Sequence, residues 1–326
     1  MRTWIVALGF GLATCLSYAS VFGMSALVYD DAYVLSTALT HPWPVTMRDL
    51  LLSRLVSTES LRVQWELWPS VPWLHAGNLA LHLVNGWLVY RLARVAAVQR
   101  IAAVLGAGVL LLHPIQVSAV VLIAGRVELL ATMALLLACL VACRWGWTAA
   151  LPAAGIAILS KPSAAIVAIL VPLVAGRGRT RCAVDQWIWL GVSMAALVWV
   201  MVVAPEVGRG MSWEFMLRQA MAAHDLLIRI VVPVGLTIDH DYTSLPLWQG
   251  IIGLIFLGSV CWLAWLSRAR APLVAVGLAW VLIVVLPRLL IVTPTQFLAE
   301  RHMYVVMVGV AISVAGCIDH QRAERM

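Results

Sequence analysis

Charge is what this sequence has least of. Only 11% of its 326 residues are Asp, Glu, Lys or Arg, whereas a soluble domain carries about 25%. A single lysine, Lys161, stands among twenty-one arginines. With 63% apolar residues and a mean hydropathy of +0.96, the chain cannot hide its apolar surface in a water-soluble core, so a bilayer must be its solvent. Metal-ligand spacing is also missing. The six cysteines (Cys15, Cys139, Cys143, Cys182, Cys261 and Cys317) lie in apolar runs or beside arginines, with no histidine at ligand spacing. They read as small buried hydrophobes rather than a disulfide frame. No convincing internal repeat of the kind that marks many transporters appears either.

What is present is a succession of apolar stretches, and these predict an all-α, polytopic membrane protein of about ten transmembrane helices (nine to eleven) in one domain spanning 1–326. The expected spans are roughly 4–29, 74–91, 101–121, 127–143, 147–160, 162–176, 187–205, 249–266, 272–290 and 303–318. A further apolar stretch, His224 to Ile238, is brief, interrupted by Arg229 and Pro233, and preceded by the amphipathic run Trp213 to Met221. It is placed on or partly in the outer face. Arginine tests the orientation, because cytoplasmic loops collect it. With the N-terminus inside, the inner segments hold twelve arginines against three acids, and the outer segments ten basic residues against twelve acids. The net charge of +7 is therefore a topology signal and not a nucleic-acid footprint. Arg2, an apolar run and small residues near Ala19-Ser20 also fit a cleavable signal peptide. Apolar character continues through Val28, however, so an uncleaved first span with both termini cytoplasmic is expected.

Polar residues concentrate on the outer side. Asp30 and Asp31 stand where the first apolar stretch ends, and a carboxylate pair at the mouth of a span costs desolvation energy unless it serves binding or chemistry. The first outer loop, about 30–73, also carries His41, Arg48, Asp49, Arg54, Glu59, Arg62 and Glu66 among Trp43, Trp65, Trp68 and Trp73. Tryptophans prefer the headgroup region, so one or two interfacial helices are expected there. The second outer segment covers about 206–248.

Other outer residues admit two readings each. Lys161, in Leu159-Ser160-Lys161-Pro162, could snorkel to a phosphate. Arg126, in Gly125-Arg126-Val127-Glu128, and Arg301, in Glu300-Arg301-His302, suit either phosphate binding or an ion pair with the adjoining glutamate. Asn78, His82 and Asn85 share one helix face and suit interhelical hydrogen bonding. His113-Pro114 either holds a substrate hydroxyl or caps a bend. Asp239-His240-Asp241-Tyr242 resembles a metal cluster only superficially, and no metal site is assigned.

Taken in order, several stretches resemble the integral-membrane glycosyltransferases of the GT-C superfamily, and within it the bacterial relatives of the tetratricopeptide-bearing protein O-mannosyltransferases. The stretches are Tyr29-Asp30-Asp31, the run Gly77 to Asn85, His113-Pro114-Ile115-Gln116-Val117, Ile123 to Leu130, Leu159-Ser160-Lys161-Pro162, Pro233-Val234-Gly235-Leu236 with Asp239 and Tyr242, and Ala299 to Tyr304. The resemblance implies a GT-C-like fold and a sugar donor carried on a polyprenyl phosphate or diphosphate, used on the non-cytoplasmic side of a bacterial inner membrane. Asp30 and Asp31 become the catalytic acids by this resemblance; His82, His113, Arg126, Lys161, Glu300 and Arg301 become substrate-binding residues. One aspartate would take the acceptor hydroxyl's proton while the cations receive the departing phosphate, inverting the anomeric centre.

The acceptor implied is a protein hydroxyl, such as one on a surface or pilus subunit, or else a glycolipid or polysaccharide. A divalent cation is left open, because some GT-C enzymes use one and others do not. Departures from the family pattern are Gln116 and Ser118, where a histidine and a glutamate are usual, and His302, where tyrosine is common. The chain carries no tetratricopeptide repeat and no soluble C-terminal domain is expected, so acceptor recognition would fall to the outer loops or another protein. A carrier or flippase for lipid-linked sugars, or an inactive accessory subunit, is the alternative reading.

Overall fold

A backbone in lipid must satisfy its own hydrogen bonds, which helices do within one segment. The computed structural model describes residues 3–24, 26–40, 54–176, 183–203, 212–290 and 297–323. Among them are fourteen α-helices and no strand. His41, Trp43, Arg48 and Asp49 of the first outer loop, Cys182, Arg209, and Arg2, Arg177, Arg179, Arg181, Glu324 and Arg325 of the charge pattern lie outside the described residues.

In chain order the helices are α1 (Thr3–Ser17), α2 (Asp31–Thr40), α3 (Leu55–Leu67), α4 (Val71–Val95), α5 (Arg100–Leu112), α6 (Val117–Val121) and α7 (Arg126–Trp145). They continue with α8 (Leu151–Ser160), α9 (Val167–Ala175), α10 (Ala183–Val203), α11 (Trp213–Val231), α12 (Trp248–Arg270), α13 (Pro272–Leu290) and α14 (Met303–Ala323). Four segments are long and apolar enough to cross a membrane: Ile123–Trp145, Trp248–Arg270, Pro272–Leu289 and Glu300–Gln321. The bent pair Arg100–Leu112 and Pro114–Val121 makes a fifth if it is one span. These long apolar helices mark an integral membrane protein.

Several expected spans take another local form. Residues 4–29 are not one helix: α1 stops at Ser17, whose hydroxyl turns back to the Ala13 carbonyl at 2.9 Å, and a 3₁₀ turn follows over Ala19–Gly23. At a rise of about 1.5 Å per residue, its 15 residues reach about 22 Å, short of the roughly 30 Å hydrocarbon core. Residues 101–121 bend by 50° at His113-Pro114, because proline cannot donate to the helix ladder. The α4 helix has the length, 25 residues, but its polar stripe lowers its hydropathy. Segments 147–160 and 162–176 form the shorter apolar helices Thr148–Ser160 and Pro162–Ala175. The stretch 224–238 splits at Val231: α11 runs without interruption through Arg229, whose guanidinium is neutralised one turn back by Asp225.

The chain divides into two compact units. The first comprises Met1–Val95 and Ala119–Val203. There α7 is the central helix, packed by α4, α8 and α9. The helices α2 and α3 share a small core of Leu35, Ala38 and Leu61 with Leu74 of α4 and Ile123. Arg62 ties them further, its Nε donating to the Ala38 carbonyl at 2.7 Å.

The second unit comprises Ala96–Ser118 and Ala204–Met326. Its helix α14 packs on α13 and α5, α13 packs on α12, and α12 on α11. Buried Trp280 of α13 donates its indole N–H to the Val305 carbonyl of α14 at 2.9 Å. Glycine lets these helices approach: a Cβ on Gly277 would overlap the Gly309 carbonyl and the Ser313 hydroxyl, the close small-residue contact of membrane helix pairs.

Gly277→Ala should therefore lower the stability of the protein by about 1–3 kcal/mol, read as a reduced thermal unfolding midpoint in detergent. Gly258→Ala, where an added Cβ meets nothing within 4 Å, should leave that midpoint unchanged.

Candidate functional site

In the first unit the polar residues are gathered where α2, α4 and α7 begin. Tyr29 adopts φ 56°, a left-handed conformation that is costly for a bulky residue and recurs at functional sites. That turn sets Asp30 and Asp31 at the start of α2, where Asp30 supplies the carbonyl for the Val34 amide at 2.9 Å. The two carboxylates differ. Asp30 is half-buried. Asp31 is 1% exposed, and its oxygens accept the Ala124 amide at 2.9 Å and the Val28 amide at 3.4 Å. Asp31 thus ties the end of the first apolar stretch to the 3₁₀ turn Ile123–Gly125 that leads into α7.

Two residues beyond Ala124 lies Arg126, 3% exposed. Its guanidinium donates to Asn78 Oδ1 at 2.8 Å, to the Leu74 carbonyl at 2.7 Å and to the Ser60 carbonyl at 3.4 Å. Among the described residues every one of these bonds ends on a neutral oxygen, so the cation is buried without a carboxylate bonded to it. Gly77 makes the room, since a Cβ there would come within 2.6 Å of Arg126 Nη2. His75 is also buried, close enough to Asp31 and Arg126 to sense both charges.

The polar stripe on α4 binds its neighbours, as its spacing predicts. Asn78 donates to the Leu122 and Val120 carbonyls at 2.8 and 3.3 Å, and Asn85 to the Leu129 carbonyl at 3.0 Å. His82 is fully buried and stacks edge-on against Tyr18, ring centroids 5.6 Å apart. Lys161 pairs with Glu128, so Glu128 is taken by the lysine rather than by nearby Arg126. Ser57 of α3 donates to the Ser160 carbonyl at 3.2 Å and docks α3 beside that pair.

The remaining expected site residues belong to the second unit. His113 uses both ring nitrogens locally. Nδ1 accepts the Ile115 amide at 3.2 Å, which leaves the proton on Nε2 to be donated to the Ile230 carbonyl at 2.8 Å. It caps the bend. The turn Pro114–Gln116 packs on the turn Glu300–His302, where buried Glu300 accepts the Thr237 amide at 2.7 Å and meets His240 Nε2 at 3.0 Å. Arg301 is half-buried beside it, and His302 Nδ1 accepts the Ala299 amide at 3.0 Å. Asp241 turns back on Thr243 at 2.5 and 2.8 Å. No group of three His, Cys, Asp or Glu that could hold a metal ion is found among the described residues.

Three features are missing from the sequence-based expectations. His75 extends the stripe, at i−3 from Asn78, and the helical period alone could have found it. The pairing of Glu128 with Lys161 spans 33 positions and has no sequence signal. Asp225 and Arg229 sit at i and i+4 on α11, but that pairing is legible only once α11 is recognised as one helix.

Burial pushes the Asp31 carboxyl above its usual 3.8, opposed by the amides of Ala124, Ile123 and Val28 and by His75. The native protein then holds a proton that the unfolded chain has already released. Ionised Asp31 costs stability above the native pKa, and that cost is relieved as pH falls toward 3.8. Moving from about pH 7 to about pH 4.5 should accordingly raise the melting temperature of the parent relative to Asp31→Asn. A difference that stays constant across this interval would contradict the shift. No family model, curated protein or solved structure matches the chain.

Proposed function

We propose that the chain is a GT-C-type glycosyltransferase. In this reading it crosses a bacterial inner membrane about ten times with both termini cytoplasmic, and α2 and α3 lie as interfacial helices on the non-cytoplasmic side. It moves a sugar from a polyprenyl-phosphate-linked donor to an acceptor hydroxyl on a protein or, failing that, a glycolipid. The observation that carries the reading is the turn at Tyr29, where one half-buried and one clamped carboxylate stand a few residues from Arg126, a buried guanidinium bonded to neutral oxygens among the described residues.

The two aspartates divide the work. Asp31 is the positioning residue, because both its oxygens are bonded to backbone amides. Asp30 is the catalytic base. It takes the acceptor hydroxyl's proton as that oxygen attacks the anomeric carbon, the bond from that carbon to the phosphate oxygen breaks, and the polyprenyl phosphate leaves with the electron pair. A single displacement inverts the anomeric centre. Arg126 supplies positive potential from within the protein, and Lys161 can reach the leaving phosphate only by exchanging Glu128 for it.

Transfer of radiolabelled sugar from a lipid-linked donor, in membranes matched for expression, tests this. Asp30→Asn should lower the rate by about 10²–10⁴-fold, the range of general base catalysis. Asp31→Asn should lower it less, with a loss of thermal stability. Parental rates in both variants would remove the reading.

A further inference from the structure

A second polar site lies wholly within the second unit. Helix α11, the first turn of α12 and the segment between them line an open cavity of about 440 Å³, enough for roughly fifteen waters and within the range of small-molecule sites. Its walls carry more chemistry than packing requires. Asp225 Oδ2 is fully engaged, accepting Arg229 Nε at 2.9 Å and the Tyr242 hydroxyl at 2.8 Å. Its other oxygen accepts from no described residue, and the side chain is 32% exposed. The side chains of Gln249 and His224 line the same space and make no hydrogen bond to described residues, the His224 ring packing edge-on against Phe256. Trp248 closes one side, 58% exposed.

The lining sorts ligand classes. An anion finds no open cation, because Arg229 is committed to Asp225 and to the Val234 and Gly235 carbonyls, and Asp241 adds a second negative charge. A metal ion finds no three converging ligands among the described residues. A purely apolar group would leave the Asp225 oxygen, the Gln249 amide and His224 unpaired, at a cost of about 1–3 kcal/mol each. A neutral ring bearing several hydroxyls answers all of these groups. Its hydroxyls can donate to Asp225 and exchange bonds with Gln249 and His224, and its C–H face can lie on the Trp248 indole.

We propose that this cavity binds a pyranosyl unit, with Asp225, Gln249, His224 and Trp248 as its contacts. This binding is independent of the glycosyl-transfer reading.

The experiment is saturation-transfer NMR on the full-length protein in nanodiscs, with a panel of methyl pyranosides as probes and glycerol and inositol as polyol controls. At least one pyranoside should bind saturably and more tightly than either control. Trp248→Leu and Asp225→Asn should each weaken it by about tenfold, the loss of one charge-assisted hydrogen bond or its equivalent. Since Asp225 also holds Arg229 and Tyr242, Gln249→Leu, which disturbs no observed bond, provides a second reading and should weaken binding several-fold. No pyranoside binding, binding no tighter than the controls, or binding indifferent to Trp248→Leu and Gln249→Leu overturns the site. Asp30→Asn should leave pyranoside binding at the parental level even where transfer is lost, so failure of the cavity and failure of the catalytic reading give different results.

Discussion

The constraint on which the first unit depends is the buried guanidinium of Arg126. A charged side chain at the start of an apolar span is expensive to desolvate, and it persists only where its nitrogens find oxygens. Those oxygens come from α3, through Ser60, and from α4, through Leu74 and Asn78. The arginine therefore dictates its neighbours: Asn78 must present its carbonyl, Gly77 must lack a Cβ, and α3 must lie against the start of α4. Asp31 then fastens α2 to the turn just before Arg126. The helices α2 and α3, which would otherwise have only a small apolar core of Leu35, Ala38 and Leu61, are thereby held in place by polar bonds in a place shielded from competing water.

The second unit uses the same principle with opposite charge. Buried Glu300 is the centre, satisfied by the Thr237 amide and by His240. The segment after α11 is irregular, and an irregular backbone needs partners for its amides and carbonyls. Arg229 takes two of its carbonyls, Glu300 one of its amides, and Arg218 bonds the Tyr242 and Thr243 carbonyls at 2.6 Å. Charged side chains from α11 and from the start of the last span thus do the work that hydrogen-bond ladders do elsewhere.

Fold class was readable because it follows from composition and long apolar runs, and the helices Trp248–Arg270, Pro272–Leu290 and Met303–Ala323 fall where hydropathy puts them. The polar stripe at Asn78, His82 and Asn85 was readable for the same reason, since a helical period is a local property. Helix ends were not. Residues 4–29 carry no charge, and hydropathy does not report that Ser17 bonds back to Ala13. Charge pairing was unreadable as well: Arg126 has Glu128 two positions away, yet residues at i and i+2 point to different sides of a helix, so the glutamate goes to Lys161. The same geometry explains why Asp30 and Asp31, adjacent and chemically identical, meet different surroundings. Consecutive residues at a helix start face about 100° apart, and only one of them can face the turn at Ala124.

The pairing of Lys161 with Glu128 bears on any phosphate chemistry at this site. A lysine held by a glutamate is neutralised as seen from a distance, so it offers little long-range attraction to an arriving anion. It becomes available only to a ligand whose phosphate comes close enough to compete for the ammonium. Arg126 differs, because its bonds to neutral oxygens leave its full charge in force. A lipid phosphate would then be drawn first by Arg126 and take Lys161 second. An exchange of that kind favours the state with the largest charge on phosphate oxygen, the departing group over the intact donor, and in that order of charge lies the difference between holding a substrate and stabilising its transition state.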